Sequence, residues 1–270
     1  RFENLVGSAY NDTLSGDLSV NAIDGGAGDD VLIGGAGADQ LIGGTGADTA
    51  SYSSASSAVT ASLATNLGTL GDANGDTFNG IENLTGGNWN DNLTGDGNAN
   101  ILVGGLGNDT LSGGDGNDTL NVTQGNDTAY GGNGNDVFLV NASSLPTLVQ
   151  GDGNVSALNG GGDMITLSGL VNGASYSLAT LASKTNSMEI LNIRGDGAST
   201  TLSLESLDVR NLVDGGNTSQ MWIQADSGDV LSISTAGGDT VTPIAVTGGV
   251  DYTIFNSSGT QVGQIHWLVG

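Results

Sequence analysis

Apolar residues recur at every ninth position over two stretches in the first half of the chain. Counted from Gly7 and from Gly86, each nine-residue unit reads Gly-Gly-x-Gly-x-Asp-x-U-x, in which U is apolar. Five units span Gly7–Ser51 and six span Gly86–Leu139, some matching only in part. The U positions hold Leu14, Ile23, Leu32, Leu41, Leu93, Leu102, Leu111, Leu120 and Phe138. This period predicts a solenoid in which six-residue glycine-rich turns alternate with three-residue strands whose U side chain points inward.

A longer repeat relates the two stretches. Phe2–Leu5 recurs as Ile81–Leu84, and Gly7 recurs as Gly86, both at an offset of 79 residues. Between the stretches, Val59–Leu63 alternates apolar and polar residues like a strand, and residues 71–80 are rich in turn formers. The pattern therefore predicts two copies of one module joined by a connecting segment.

The nine-residue period stops after Leu139. Residues 140–270 contain short alternating runs, namely Met188–Ile193, Met221–Gln224, Val230–Ile233, Val241–Val246, Tyr252–Phe255 and Val262–Leu268. The last three runs predict an antiparallel meander, because short turn-rich segments separate them. The predicted fold is all-β, with solenoid blocks over residues 1–51 and 86–139, a connecting segment over 52–85 and a β-rich C-terminal domain over 140–270.

The charge of the chain limits its partners. Its 29 acidic residues face only four basic ones, for a formal net charge of −25. Such a chain repels nucleic acid and anionic membranes and attracts cations. It has no cysteine to form disulfides and no run of 18 apolar residues that would cross a membrane. It begins without Met and without the features of a signal peptide, and we expect it to be part of a longer protein.

The aspartate at position 6 of each unit needs a counter-ion. One inward apolar residue in nine is too little to offset a backbone ordering cost of roughly 1–2 kcal/mol per residue. If two units make one coil, position-6 residues 18 apart stack on the same edge. The expected neighbours are Asp30 with Asp12 and Asp48, Asp39 with Asn21, Asp109 with Asp91 and Asp127, and Asp118 with Asn100 and Asp136. Stacked carboxylates repel one another without a cation, so we expect several Ca²⁺ ions and folding that is coupled to binding.

These units resemble the repeats-in-toxin (RTX) family, whose motif is this nonapeptide. The resemblance covers residues 1–139 and implies a parallel β-roll with Ca²⁺ between successive turns. The side-chain ligands that it implies are Asp12, Asp30, Asp39, Asp48, Asp91, Asp109, Asp118, Asp127 and Asp136. The backbone carbonyl ligands that it implies are those of Gly25, Ala27, Gly34, Ala36, Gly44, Gly46, Gly104, Leu106, Gly113, Asp115, Gly132 and Gly134.

Several units depart from the motif. Asn21 and Asn100 replace aspartate, so we expect their sites to be weaker or empty. Val122 and Thr123 replace the paired glycines of their unit, which changes the expected carbonyl geometry of that turn. Ala50 and Ala129 occupy the U position, where their small side chains thin the core.

Asp72 and Asp76 form a separate candidate. They lie in a segment of alternating oxygen-bearing side chains, although the spacing does not fit an EF-hand because Thr77 stands where glycine is needed. A separate calcium site and a solvated turn both remain open.

A second resemblance concerns the C-terminal part. Met188–Ile193 followed by Thr201–Val209 is similar to the C-terminal regions of very large RTX adhesins, which carry an uncleaved type I secretion signal. The resemblance implies export to the bacterial cell surface or medium through type I secretion machinery, and folding that waits for external calcium. It also implies a cell-surface or glycan ligand, bound through a missing N-terminal part.

Other functions are weighed by the residues they need. The chain has one histidine, His266, in a strand-like run, and no arrangement of nucleophile and base, so we expect no catalysis. The alternative is a non-catalytic tail of a secreted lipase, protease or polysaccharide-modifying enzyme. Ice binding is disfavoured because position 3 has no regular file of threonines. Glycan binding would fall to Trp89 in a turn, or to Trp222, although a strand tryptophan is more often core.

Overall fold

The computed structural model describes residues 4–141 continuously. Beyond them it describes 148–152, 164–168, 175–177, 185–186, 190–192, 201–205, 219–225, 230–234, 240–246, 249–255 and 261–269. The strands up to residue 141 are β1 (Asn4–Val6), β2 (Thr13–Ser15), β3 (Ala22–Ala27), β4 (Val31–Ile33), β5 (Gln40–Thr45), β6 (Thr49–Ser51), β7 (Thr60–Ser62), β8 (Leu67–Leu70), β9 (Thr77–Asn79), β10 (Asn83–Thr85), β11 (Asn92–Thr94), β12 (Ile101–Val103), β13 (Thr110–Asp115), β14 (Thr119–Val122), β15 (Thr128–Asn133) and β16 (Val137–Asn141). The later strands are β17 (Leu148–Asp152), β18 (Met164–Ser168), β19 (Ser175–Ser177), β20 (Thr185–Asn186), β21 (Ile190–Asn192), β22 (Thr201–Glu205), β23 (Ser219–Ala225), β24 (Val230–Ser234), β25 (Thr240–Val246), β26 (Gly249–Phe255) and β27 (Gln261–Val269).

The repeat units form a parallel β-solenoid with two units in each coil. Strands 18 residues apart pair in parallel, as Leu5 does with Ile23 and Leu14 with Leu32. The strands therefore alternate between two sheets. Sheet 1 runs in the order β1-β3-β5-β9-β8-β7-β11-β13-β15-β17-β20, and sheet 2 begins β2-β4-β6-β10-β12-β14-β16-β18. The predicted all-β fold, with solenoid blocks of parallel strands, is confirmed.

Strand length differs between the two sheets. The pattern predicts three-residue strands throughout, and β2, β4 and β6 have that length. In sheet 1, however, β3, β5, β13 and β15 have six residues each. They continue into the first glycines of the next unit, because those glycines keep the parallel register, as Gly26 does with Gly44. The second glycine has a positive φ, +100° at Gly26, so the parallel pairing continues while the chain begins to turn.

The segment between the repeat blocks is part of sheet 1. After β6 the chain forms β7, which pairs in parallel with β11. It then returns through the antiparallel strand β8 to β9, which pairs in parallel with β5. A 3₁₀ turn over Gly71–Ala73 links β8 to β9. Because β6 also pairs directly with β10 in sheet 2, both sheets continue from one block into the other.

The U side chains fill the interior, as predicted. Ile23, Leu32 and Leu41 have no exposed surface, and the same holds for their counterparts in the second block. Leu14, in the first coil, is only partly buried against this core. Ala50 and Ala129 are fully buried as well. One departure contributes to the core, since the Val122 side chain is also fully buried.

The 79-residue copies occupy opposite sheets. β1 lies in sheet 1, whereas its copy β10 lies in sheet 2. Likewise β2 lies in sheet 2 and its copy β11 in sheet 1. The exchange arises because the connecting segment adds three strands to sheet 1 alone. The same turn of each copy therefore lies on opposite edges of the solenoid.

The C-terminal part continues sheet 2 through β18, β21, β23 and β27, all paired in parallel. The predicted meander is confirmed, because β25, β26 and β27 pair antiparallel in sequence order. The strands β19, β22 and β24 form a third, parallel sheet. Of the segments that resemble adhesins, Met188, Glu189, Ile193 and residues 206–209 lie outside the described residues.

Candidate metal centres along the solenoid edges

The position-6 residues form two columns, one on each edge of the solenoid. We call the side where the chain passes from sheet 1 to sheet 2 edge 1, and the opposite side edge 2. Edge 1 carries, in order, Asp12, Asp30, Asp48, Glu82, Asn100, Asp118 and Asp136. Edge 2 carries Asn21, Asp39, Asp76, Asp91, Asp109 and Asp127. The predicted stacking of aspartates 18 residues apart is confirmed.

One carboxylate oxygen of each stacked aspartate belongs to a hydrogen-bond ladder. Oδ1 of Asp30 accepts from the backbone N–H of Asp12 at 2.8 Å, and Oδ1 of Asp48 accepts from that of Asp30 at 2.8 Å. On edge 2, Oδ1 of Asp109 accepts from the N–H of Asp91 at 2.8 Å. The same bond is made by Oδ1 of Asp39, Asp118, Asp127 and Asp136. The ladder fixes each side chain, so its second oxygen has a defined direction.

The second carboxylate oxygen has no hydrogen-bond partner on six of these aspartates. The six buried Oδ2 atoms belong to Asp30, Asp39, Asp48, Asp109, Asp118 and Asp127. A buried carboxylate oxygen without a partner is costly unless a cation or hydrogen bond compensates it. Burial raises the pKa of Asp109 and Asp118 to about 7, and that of Asp127 to about 6. Burial therefore disfavours the charged form of each of these carboxyl groups unless a cation compensates it.

Backbone carbonyls lie next to these orphaned oxygens. A Cβ added to Gly25 would lie 2.3 Å from Oδ2 of Asp30 and 2.7 Å from the carbonyl oxygen of Gly43. A Cβ on Gly113 would likewise lie 2.2 Å from Oδ2 of Asp118. The glycine at position 1 therefore keeps open a space lined by carboxylate and carbonyl oxygens.

This set of donors fits calcium. Hard oxygen ligands from carboxylates and carbonyls are what Ca²⁺ takes, six to eight at a time. Among the described residues, no three His, Cys, Asp or Glu side chains converge on one point. Backbone carbonyls must therefore supply a large share of each ligand shell. Six of the twelve predicted carbonyl ligands lie at the ends of strands β3, β5, β13 and β15, namely Gly25, Ala27, Gly44, Gly113, Asp115 and Gly132, and the other six lie in turns.

The remaining predicted ligands have other environments. Oδ2 of Asp12 accepts from the backbone N–H of Ser8 at 2.5 Å. Hydrogen bonds from Ser8 lower the pKa of Asp12. Oδ2 of Asp91 accepts from the N–H of Gly87 at 2.6 Å. Asp136 is fully buried below Asp118. Two of the three therefore already use the oxygen that elsewhere is orphaned.

Asn21 and Asn100, which replace aspartate in the columns, carry no charge, and their side-chain amides form hydrogen bonds with backbone groups. Oδ1 of Asn100 accepts from the N–H of Asp96 at 2.8 Å, while its Nδ2 donates to the carbonyl of Glu82 at 2.8 Å. Asn21 makes the matching bond, since its Oδ1 accepts from the N–H of Asp17 at 2.9 Å. The amide group of Asn100 satisfies its surroundings without an ion.

Asp72 and Asp76 have different partners. Asp76 is fully buried; its Oδ1 accepts from the N–H of Asp39, and its Oδ2 accepts from the hydroxyl of Tyr52, each at 2.8 Å. Burial raises the pKa of Asp76 to about 6, and burial followed by the charge of Asp76 raises that of Tyr52. Asp72 lies near the surface and accepts from the N–H and hydroxyl of Ser56. Asp76 thus joins the edge 2 column, which its sequence spacing did not reveal.

A second ladder, at position 5, was missed in the sequence. Oδ1 of Asn11 accepts from the N–H of Asp29 at 2.9 Å, and Oδ1 of Asp29 accepts from the N–H of Ala47 at 2.9 Å. The same bond is made by Oδ1 of Asn90, Asn108 and Asn117. This ladder runs opposite to that of position 6, since here the earlier coil accepts. The recurrence of Asn or Asp at position 5 was the available signal.

The candidate aromatic residues are exposed in turns. Trp89 is 50% exposed, and Tyr10, at the same position of the first copy, is 79% exposed. They lie on opposite edges because the copies exchange sheets. Trp222 lies in strand β23, as its run predicts.

A parallel solenoid whose edges stack buried carboxylates beside turn carbonyls is a metal-binding β-roll. The family model described as the RTX calcium-binding nonapeptide repeat matches the chain in four copies, over residues 2–30, 20–50, 76–111 and 112–142. The chain therefore carries RTX calcium-binding nonapeptide repeats, and the solenoid that they form is a calcium-binding β-roll. No curated protein matches the chain.

RTX repeat proteins are typically secreted. Over the part of the chain that the structure describes, no helix has the length and apolarity needed to cross a membrane.

Proposed function

We propose that the chain is a calcium-dependent folding and export module at the C-terminus of a secreted RTX adhesin. The observation that carries this proposal is the pair of columns with six buried, unpartnered carboxylate oxygens. They make the compact state depend on something that compensates their charge. The module performs no catalytic step in this proposal, since His266 lies in β27, between the paired strands β23 and β26.

The chain's own residues explain the coupling between binding and folding. In the unfolded chain water solvates each aspartate, and nothing brings carboxylates 18 residues apart together. In the coil, the Oδ1 ladder holds Asp30 and Asp48 in register and directs both Oδ2 atoms inward. Bound calcium would supply the compensating charge at these oxygens. Sites of this type in extracellular modules fill at about 10⁻⁴–10⁻³ M Ca²⁺.

The C-terminal strands support a role in export and nucleation. The meander of β25, β26 and β27 is antiparallel and local, and such contacts form faster than non-local ones. Through β27 and β23 it is paired with the same sheet that continues into the β-roll. If the C-terminus leaves the cell first, as in the adhesins that the chain resembles, this meander offers sheet 2 an edge on which to grow.

Calcium titration tests the core of the proposal. We expect far-ultraviolet circular dichroism to show a largely unfolded chain in excess chelator and a β-rich one as CaCl₂ rises into the millimolar range. MgCl₂ is the control, because Mg²⁺ needs a small octahedral shell that a turn of carbonyls does not provide. A spectrum that is equally β-rich in chelator and in CaCl₂ would contradict the proposal.

Export needs a separate test. The whole chain and residues 1–139 alone are each fused to the C-terminus of a reporter and expressed beside a type I exporter. We expect only the fusion that carries the whole chain, and therefore residues 140–270, to leave the cell. Equal retention of both fusions would remove the export role and leave the calcium-binding β-roll in place.

A further inference from the structure

At one position in the edge 2 column, a side-chain hydroxyl donates to the carboxylate oxygen that has no partner at other positions. Oδ1 of Asp76 accepts the ladder hydrogen bond from the N–H of Asp39, like Oδ1 of any position-6 aspartate. Its Oδ2, the oxygen that is orphaned on Asp39 and Asp109, accepts instead from the hydroxyl of Tyr52 at 2.8 Å. Both residues are buried, Asp76 fully and Tyr52 to all but 2% of its surface. The carboxylate is therefore complete without a cation.

Edge 1 also departs from the stacked-aspartate pattern at the same level of the solenoid. Oε2 of Glu82 accepts from the N–H of Asp48 at 2.8 Å and so takes the place of a position-6 aspartate. In the next coil Asn100 brings a neutral amide, whose Nδ2 donates to the carbonyl of Glu82. Within the described residues, the aspartates with orphaned oxygens therefore fall into two groups. Asp30, Asp39 and Asp48 precede this level, and Asp109, Asp118 and Asp127 follow it.

The segment between the groups contributes many residues to the continuous apolar core of the solenoid. Its buried residues are Tyr52, Ala55, Val59, Ala61, Leu63, Ala73, Phe78, Ile81 and Leu84. The nonapeptide units bury about one large apolar residue in nine, so this segment is richer in core. Burial of each large apolar side chain contributes roughly 1.5–3 kcal/mol of stability in general. The stability of this segment therefore depends less than that of the nonapeptide units on a cation that compensates buried carboxylates.

Local hydrogen bonds hold the same segment together. β7, β8 and β9 pair antiparallel with one another, in addition to the parallel pairs that β7 makes with β11 and β9 makes with β5. The backbone N–H of Gly68 donates to the carbonyl of Asp76 at 2.9 Å, and the N–H of Gly75 donates back to Gly68 at 3.0 Å. The N–H of Phe78 donates to Asn66 at 3.1 Å. These contacts span few residues, and three strands with a buried face can be stable alone.

We propose that residues 52–84 form a calcium-independent joint, in which the Tyr52 hydroxyl replaces an ion, and that the two calcium-binding halves fold on either side of it as separate units. The inference rests on the proposed function for the ions of the two halves. The joint itself needs only the hydrogen bond between Tyr52 and Asp76, the Glu82 contact and the apolar interior.

Hydrogen exchange measured by mass spectrometry on the whole chain tests the joint. In excess EGTA we expect amides of residues 52–84 to exchange at least tenfold more slowly than those of residues 104–136. In saturating CaCl₂ both segments should be protected. If residues 52–84 exchange in EGTA as fast as 104–136, the joint does not exist.

Two isosteric variants test the absence of an ion at Asp76. In Asp76→Asn the amide oxygen still accepts from the Asp39 N–H and the amide nitrogen can donate to the Tyr52 oxygen, so calcium stoichiometry should equal that of the wild type. Asp109→Asn removes an orphaned oxygen and should lose about one ion by equilibrium dialysis against CaCl₂. If Asp76→Asn loses an ion as Asp109→Asn does, Asp76 is a calcium ligand and the inference is wrong.

A third variant tests the hydroxyl. Tyr52→Phe leaves Oδ2 of Asp76 buried without a partner, and we expect the protection of residues 52–84 in EGTA to fall by about tenfold. Unchanged protection in EGTA would remove Tyr52 from the joint.

A wild-type chain that binds no calcium and exchanges alike in EGTA and CaCl₂ refutes the proposed function. Calcium binding without a protected joint refutes only the inference.

Discussion

The substitution Gly114→Ala measures how tightly the turns of successive coils are stacked. Gly114 lies at position 2 of its unit, within β13, and pairs with Gly132 of the next coil. Its φ of +115° is in the region that side chains other than glycine rarely adopt. A Cβ there would lie 2.2 Å from the carbonyl oxygen of Asp96 in the previous coil. Both the backbone conformation and the space therefore oppose a methyl group.

The magnitude follows from these two terms. A sparsely populated backbone conformation costs about 1–3 kcal/mol, and forcing an atom into packed structure costs about 1–3 kcal/mol more. We therefore expect Gly114→Ala to lower the free energy of unfolding by about 2–6 kcal/mol in saturating calcium. Gly97→Ala is the control, since its φ is not in that region and an added Cβ meets nothing within 4 Å. That variant should be neutral or gain up to about 1 kcal/mol from the unfolded state.

The assay is urea unfolding in 10-fold excess calcium over the titration midpoint, followed by circular dichroism. The slope with denaturant should be the same in both variants, so that midpoints report stability alone. If Gly114→Ala unfolds within about 0.5 kcal/mol of Gly97→Ala, a typical error for surface changes, the coils are not stacked as described.

Three further substitutions follow from the columns and the core. Asp109→Asn should weaken calcium binding by about tenfold or more at its site, because it removes one charge-assisted contact. Asp115→Asn is the control: it keeps the backbone carbonyl of Asp115 and changes only an exposed side chain at the end of β13, so it should leave the titration midpoint unchanged. Leu111→Ala should lower the free energy of unfolding by about 2–5 kcal/mol in thermal unfolding, because the Leu111 side chain is fully buried. Leu106→Ala is the control, since the Leu106 side chain is half exposed and its loss should cost less than about 1 kcal/mol. Asn108→Ala removes one acceptor of the position-5 ladder and should cost about 0.5–1.5 kcal/mol, measured by the same unfolding; no change would mean that the ladder adds nothing.

The nine-residue period was enough to predict the solenoid, its interior and its stacked aspartates. The prediction succeeds because every coil repeats the same environment, so the burial of one inward residue such as Leu32 indicates the burial of the equivalent residues in the other coils. The same period shows which residues are 18 apart, and parallel pairing brings those together. The direction of each carboxylate could not be predicted from the sequence, because it depends on which neighbouring N–H donates to Oδ1.

The connecting segment shows where sequence reasoning failed. Asp76 follows no nine-residue frame, so its place in the edge 2 column depends on how β8 and β9 return to sheet 1. Its partner Tyr52 lies 24 residues away, a distance that only the fold can close. A solvated turn was one reading of this segment, and full burial of Asp76 is the difference. Non-local contacts of this kind leave no trace in local patterns.

The exchange of sheets between the two copies has a geometric consequence. A repeat of 79 residues is not a whole number of 18-residue coils, so the second copy is turned to the other side of the solenoid. Tyr10 and Trp89, equivalent in sequence, therefore face away from each other across its width. A flat surface lying against one side can touch only one of them. Contact with both would need two surfaces, one on either side of the solenoid.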